Sequence, residues 1–237
     1  MNRFKRYYSA LHRYKRSKGY GIHSPFAFNF VLRVLREQCP YYAYDDIHYR
    51  RHRAKKLAAK IFRKPHIISY SNAKMLFRIT CFFSPETILQ IGTSYGISTS
   101  AMLDVSSNSH LIIYPGNNSH EDIYRNITEP YRARISAFRT IEKALCGYRE
   151  TNTGKPHFIL INDLTNDDAE SLFPTLQEAL DNNGVVIMRN LSKRKNVLTL
   201  WDKLCREMTF GMSFSNGRIG IIVSRSHLPL QHFSLWF

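Results

Sequence analysis

Ile88-Leu89-Gln90-Ile91-Gly92-Thr93-Ser94-Tyr95-Gly96-Ile97-Ser98-Thr99-Ser100 is the stretch whose reading decides the fold. A short apolar run rich in branched residues ends at Gly92. A small polar turn with two glycines follows, and Ala101-Met102-Leu103 then opens a helical pattern. Strand, glycine turn and helix in that order place backbone N–H groups where they face a ligand. Gly92 and Gly96 permit a positive φ or a close approach that a side chain would forbid. By spacing alone the pattern is equally that of a tight strand-to-helix turn that holds no ligand.

Outward from this stretch the chain alternates. His110 to Tyr114 reads as a strand, Ile123 and Ile127 mark a short helix, Arg134 to Phe138 a weak strand, and Thr140 to Tyr148 a helix. Phe158 to Ile161 reads as a buried strand, Asp168 to Asp181 as a helix, Val185 to Met188 as a strand, and Lys195 to Met208 as a helix. Phe210 to Phe214 and Arg218 to Ser224 close the series. Strands alternating with helices predict a parallel sheet covered on both faces. The last two strands lie too close together for a crossover helix, so they are expected to be antiparallel. Ligands in such sheets bind beyond the carboxyl ends of the strands, so the loops at Gly92, Pro115, Asn162 and Arg189 should converge.

The glycine stretch resembles the first motif of class I S-adenosylmethionine-dependent methyltransferases, particularly their O-methyltransferase-like branch. Phe158 to Asp163 resembles the fourth strand of that family, Asn183 to Asn190 the fifth with its glycine lead-in, and Asn216 to Val223 the final strand. The resemblance covers roughly residues 70–225. His23-Ser24-Pro25-Phe26 is similar to a helix start that a bacterial group carries ahead of this domain. The resemblance implies an α/β fold of Rossmann-like class I methyltransferase type, mostly parallel with an antiparallel closing strand, and S-adenosylmethionine as cofactor. It implies that Gln90, Gly92, Thr93, Ser94, Tyr95, Gly96 and Ser98 hold the cofactor, with Tyr114 and Asn162 flanking its adenosine. On that reading Gly92→Val abolishes cofactor binding by blocking backbone approach.

The acids that the family places at its strand ends are missing here. The first-motif acid is Gln90; the second strand ends in Tyr114-Pro115-Gly116 without a carboxylate; the fourth-strand acid aligns with Asn162, beside Asp163; and the fifth-strand tip is Arg189-Asn190. A charge-assisted hydrogen bond contributes about 1.5–3 kcal/mol against about 1 for a neutral one, so each exchange weakens a contact to the cofactor. Asp163 is the candidate catalytic carboxylate. Arg189 is the candidate local cation, standing where the branch holds a divalent metal and gripping an anionic substrate, or else pairing with a surface acid such as Asp163. No metal is expected.

Composition adds a second theme. The chain has 237 residues and a net charge of +16. Residues 1–64 hold 17 Lys and Arg against 3 Asp and Glu, and the rest hold 17 against 15. The break at Lys64-Pro65 divides a basic helical N-terminal appendage, residues 1–64, from an α/β domain, residues 65–237. Phe4, Tyr7, Tyr8 and Leu11 form an aromatic stripe beside a basic face, and Arg50 to Lys64 carry eight positive charges without an acid. Such faces suit nucleic acid or anionic lipid, and equally a solvated surface. The basic N-terminus is followed by no uninterrupted apolar region, so it does not read as a secretory leader, and no run is long enough to span a membrane. The four cysteines are far apart in sequence, which predicts neither zinc site nor disulfide and suits a cytoplasmic setting. Two functions follow as expectations: methyl transfer to an oxygen or nitrogen of a small or anionic substrate, or a silent methyltransferase-fold protein that binds a polyanion through its basic segment.

Overall fold

A computed structural model describes residues 13–14, 17–116 and 120–237. The aromatic stripe expected on Phe4, Tyr7, Tyr8 and Leu11 lies outside them. The strands are β1 (Thr87–Ile91), β2 (His110–Tyr114), β3 (Ile135–Ala137), β4 (Phe158–Ile161), β5 (Val185–Arg189), β6 (Met212–Ser215), β7 (Ile219–Val223) and β8 (Gln231–Ser234). They form one sheet in the order β3-β2-β1-β4-β5-β7-β6-β8. β1 to β5 run parallel, β7 is antiparallel to both β5 and β6, and β8 adds a parallel edge on β6. The mostly parallel α/β sheet with an antiparallel closing region is therefore as the sequence predicts. Strand order reverses between β1 and β4, which opens the crevice where ligands of such sheets bind.

The helices are α1 (Pro25–Phe30), α2 (Ala43–Ala59), α3 (Tyr70–Phe83), α4 (Ile97–Leu103), α5 (Glu121–Thr128), α6 (Ile141–Thr151), α7 (Asn166–Asp181) and α8 (Lys195–Glu207). Successive strand residues point to opposite faces, and the apolar residues sort into two clusters accordingly. Ile88, Leu160 and Ile187 face Phe30, Ile47, Leu76, Ile97 and Ile127, which belong to α1 to α5. Leu89, Ile161 and Met188 face Leu145, Leu176 and Leu204 of α6 to α8. Both faces are covered, which is why the central strands read as continuous apolar runs.

The basic segment packs into the first cluster. Ser24 caps α1, accepting from Ala27 N–H at 3.3 Å, and Pro25 occupies its first position. The helix widens to a π turn over Val31–Leu35, where its last carbonyls meet a buried cation. Arg78 of α3 donates from Nε to Val34 O (2.6 Å), from Nη2 to Leu35 O (3.1 Å) and from Nη1 to Tyr44 OH (2.9 Å). Phe30 is wholly buried among Phe26, Phe82, Phe83 and Phe214 at centroid distances of 5.0–5.8 Å. The composition break at residue 64 thus separates two charge regimes, while the apolar packing is continuous across it.

One ion pair fastens α2 to the helix that follows the glycine turn. Arg50 Nη1 lies 2.5 Å from Asp104 Oδ2, and Tyr131 OH donates to Asp104 Oδ1. The Arg50 guanidinium also stands 5.2 Å from the Tyr131 ring centre. Burial, and then the bond to Asp104, pushes the Tyr131 phenol well above its usual range. Asp104→Asn removes the nearer of the two carboxylates at the Arg50 guanidinium, leaving only the exposed Asp46 at 3.7 Å, and should lower stability by about 2 kcal/mol. Urea denaturation of the two proteins checks this, and a loss below about 0.5 kcal/mol would place the pair among the weak surface bridges.

Candidate functional site

The chain leaves β1 at Ile91 and turns over the β1–β4 crevice in a strained conformation. Gly92 has φ +85°, Ser94 +46°, Tyr95 +58° and Gly96 +81°. Two non-glycine residues in the left-handed region cost of order 1 kcal/mol each, and such strain gathers at functional sites. The glycines answer to packing. A Cβ on Gly92 would lie 3.2 Å from Asp163 N and 3.3 Å from Asn162 Cβ, at the tip of β4. A Cβ on Gly96 would lie 2.9 Å from Thr128 Cγ2 on α5. The expectation that Gly92→Val blocks a ligand therefore changes: the added side chain strikes the neighbouring strand tip first. The Tyr95 ring stacks on His120 at 4.9 Å and 15°, and His120 meets Phe62, just past α2, at 4.6 Å. This row of rings links the turn to the end of the basic helix.

Gln90, Asn162 and Arg189 stand at positions where the family resemblance implies acids, and strand alternation puts all three on the face covered by α4. Gln90 is wholly buried and both ends of its amide are engaged. Thr99 Oγ1 donates to its Oε1 (2.9 Å), and its Nε2 donates to Gly92 O (2.8 Å). Asn162 Nδ2 donates to the same carbonyl (2.8 Å), and Asn190 Nδ2 to Asn162 O (2.8 Å). Gly92 O is an acceptor only, so the groups aimed at it must be donors. A carboxylate at 90 or 162 would face it lone pair to lone pair.

Arg189 closes the network. Its Nη1 donates to Asn162 Oδ1, to Ser94 Oγ (3.1 Å) and to Ser98 Oγ (3.3 Å). Arg189 is buried at 6% exposure, and its Nε has no hydrogen-bond partner among the described residues. Burial pushes the guanidinium down to about 10. Among the described residues no carboxylate pairs with it. The alternative pairing with Asp163 is not what forms: Asp163 Oδ2 lies 3.0 Å from Arg194 Nη2, and its Oδ1 accepts from Leu164 N–H (3.1 Å).

The remaining candidates divide. Ser94 is half-buried, while Thr93, Tyr95, Gly96 and Ser98 are buried, and the Thr93 carbonyl accepts from Gly96 N–H at 3.0 Å. The Tyr114 carbonyl accepts from Gly92 N–H (2.8 Å), but the Tyr114 ring packs in the second cluster, on the sheet face opposite Arg189. Burial, and then the charge of Asp168, raises its phenol above the usual range. Asp168 itself completes a capping box with Thr165 at the start of α7. Three residues that sequence reasoning passed over complete the surroundings: Thr99, His120 and Asp168. Only Asp168 carried a signal, as the acid three positions after a threonine before an apolar helix.

No protein-family model matches the chain, and no curated protein sequence matches it. Solved structures do. An O-methyltransferase from Bacillus cereus in complex with SAH superposes with a TM-score of 0.55 at 18% identity, over 81% of this chain and 96% of that one. The SAH-bound methyltransferase PaMTH1 from Podospora anserina gives 0.57 at 12% identity, over 86% and 97%. The O-methyltransferase TomG from Streptomyces achromogenes, in complex with SAM, gives 0.50 at 12%, over 91% and 99%. The chain has the fold of class I S-adenosylmethionine-dependent O-methyltransferases, and at these identities the likeness is one of fold.

The turn yields a signed pH prediction. Gln90→Glu keeps an acceptor for Thr99 but sets a buried carboxylate against Gly92 O. Its folded-state pKa is therefore raised above the unfolded value of about 4.3. Protonated, the acid can donate to Gly92 O, and that contribution is lost as pH rises through the raised pKa. The variant should be close to wild type at pH 4.5 and less stable by roughly 3 kcal/mol at pH 8. Urea midpoints at both pH values test it; equal losses at the two would mean that the amide bond to Gly92 O is unimportant.

Proposed function

We propose that the chain is a methyltransferase that uses S-adenosylmethionine and methylates an oxygen or nitrogen of a small or anionic acceptor, without a divalent metal. The observation that carries the reading is the strained turn from Gly92 to Gly96 at the switch point of the sheet, with Ser94, Ser98 and Arg189 converging beneath it. The donor set fits the amino-acid end of such a cofactor, because a carboxylate answers the guanidinium of Arg189, whose buried Nε has no partner among the described residues. When bound, the cofactor supplies an electrophilic methyl group, which a nucleophile accepts by direct displacement. The turn residues hold and orient; Tyr95, His120 and Phe62 wall the turn towards α2. The strand tips present Asn162, Arg189 and Asn190, and a buried guanidinium repels the hard cation that strand-tip carboxylates would bind. Four free cysteines suit a reducing, cytoplasmic setting, and among the described residues no helix is long and apolar enough to cross a membrane.

A second reading rests on different observations. Asp163 is held by Arg194 and Leu164 N–H, so the one carboxylate expected near a strand tip is not free to act as a base. On and just after α2, Arg53, Lys55, Lys56, Lys60, Arg63 and Lys64 are exposed. Together they support a silent methyltransferase-fold protein that binds nucleic acid or anionic lipid through this segment.

Two measurements separate the readings. Calorimetric titration with S-adenosylhomocysteine should show binding weaker than about 1 μM, the lower end of ordinary KM values, and any methyl transfer should persist in EDTA. A flat trace at millimolar ligand removes the enzyme reading, and activity that EDTA abolishes and magnesium restores removes the metal-free one. For the second reading, Arg53→Gln, Lys56→Gln and Lys60→Gln together should flatten the log–log salt dependence of RNA, DNA or anionic-vesicle binding by roughly 2–3, at about 0.9 per lost phosphate contact. Wild-type indifference to all three polyanions at low salt leaves a solvated face.

A further inference from the structure

Arg189 is a buried cation that the described part of the chain does not neutralise. A guanidinium has five N–H donors. Three acceptors, the Asn162 amide oxygen and the hydroxyls of Ser94 and Ser98, all fall on Nη1. Nε is buried without a partner among the described residues, while Nη2, which makes no hydrogen bond to them either, keeps some exposure. All three acceptors are neutral. A buried charge left in this condition destabilises the fold, and apolar residues of similar volume commonly replace such groups with a gain in stability. Proteins retain costly groups of this kind at sites of function.

We propose that Arg189, with the hydroxyls of Ser94 and Ser98, is a built site for one carboxylate or phosphate group of the ligand. An anion supplies the missing counter-charge and accepts the unspent donors in the planar fork that guanidinium offers to carboxylate and phosphate. Ser94 is the half-exposed partner, so the anion enters past it, and its hydroxyl can turn from accepting Arg189 to donating to the anion. Asn162 keeps the site open, because its amide oxygen faces the guanidinium where an aspartate would neutralise it. The inference shares its site with the methyltransferase reading, whose cofactor has an amino-acid carboxylate, but the anion can equally come from an acceptor or from free phosphate.

The experiment compares full-length wild type, Arg189→Met, Arg189→Lys and Asn162→Asp by calorimetry and thermal melting. The ligands are S-adenosylhomocysteine, 5′-methylthioadenosine, which lacks the amino-acid carboxylate, and inorganic phosphate. Without ligand, Arg189→Met should melt at a higher temperature than wild type, since it removes an unmatched buried charge. If the cofactor's carboxylate is the anion, Arg189→Met weakens S-adenosylhomocysteine by about tenfold or more and leaves 5′-methylthioadenosine unchanged. If the anion is a phosphate or comes from the acceptor, phosphate raises the wild-type midpoint but not that of Arg189→Met, while both adenosyl ligands are unaffected. Arg189→Lys should retain part of the binding, and Asn162→Asp should abolish it with the guanidinium still present. Arg189→Met that melts lower than wild type, with every ligand bound as before, overturns the proposal and makes Arg189 a brace for the turn. If no adenosyl ligand binds while phosphate still stabilises through Arg189, the methyltransferase reading fails and the anion site stands.

Discussion

The carbonyl oxygen of Gly92 is the atom to which the rest of the site answers. It lies at the switch between β1 and β4 and accepts from two side-chain amides, Gln90 and Asn162, at 2.8 Å each. Both donors are buried, and a carbonyl that accepts from two side-chain amides leaves the turn little freedom. The positive φ angles that follow at Ser94, Tyr95 and Gly96 persist because the flanking structure over-determines them. Thr99 fixes Gln90 from the first turn of α4, which ties strand, turn and helix together.

Much of the fold was legible because its signals are local. Ile88 to Ile91, Phe158 to Ile161 and Val185 to Met188 are runs of branched residues bounded by turns, and they become the buried centre of the sheet. The antiparallel β6–β7 pair followed from the shortness of its connection. β8 was not legible: Gln231-His232-Phe233-Ser234 has neither branched residues nor a buried pair of faces. It forms because Phe233 stacks on Phe214 at 5.2 Å and Ser213 meets His232 at 2.8 Å, contacts between residues some 19 apart in sequence. The π turn after α1 was equally hidden, since Arg78, which bonds two of its carbonyls, lies more than forty residues downstream.

The site was legible in its backbone and not in its polarity. The glycine turn, the convergence on β4 and β5, and the absent acids could all be read from residues 88–100, 162 and 189. The partners could not. Asp163 and Arg189 looked like a pair by proximity to the strand tips, yet strand alternation sends them to opposite faces, and Asp163 finds Arg194. Tyr114 stands at the expected strand end, but its ring points into the second cluster beside Asp168, a consequence of parity and not of residue type. Burial of the whole Arg189 side chain is likewise a property of the assembled layers; the apolar run before it placed the residue at a strand tip but not its contacts.

Three of the missing acids, at 90, 162 and 189, are best understood as one coupled change and not as separate losses. Once Gly92 O is held by two amide donors, a carboxylate at 90 or 162 would place negative oxygen against it, so both positions must be amides together. With both neutral, no carboxylate among the described residues pairs with the cation at the tip of β5, and the strand tips offer amides where a hard cation prefers anionic oxygen. A cation supplied by the chain can then occupy that tip without competing for a ligand set. It is held by hydroxyls and an amide that orient it but do not neutralise it. On the proposed reading a bound anion supplies the charge that completes the site, so the amides at 90 and 162 set the sign of what the crevice accepts.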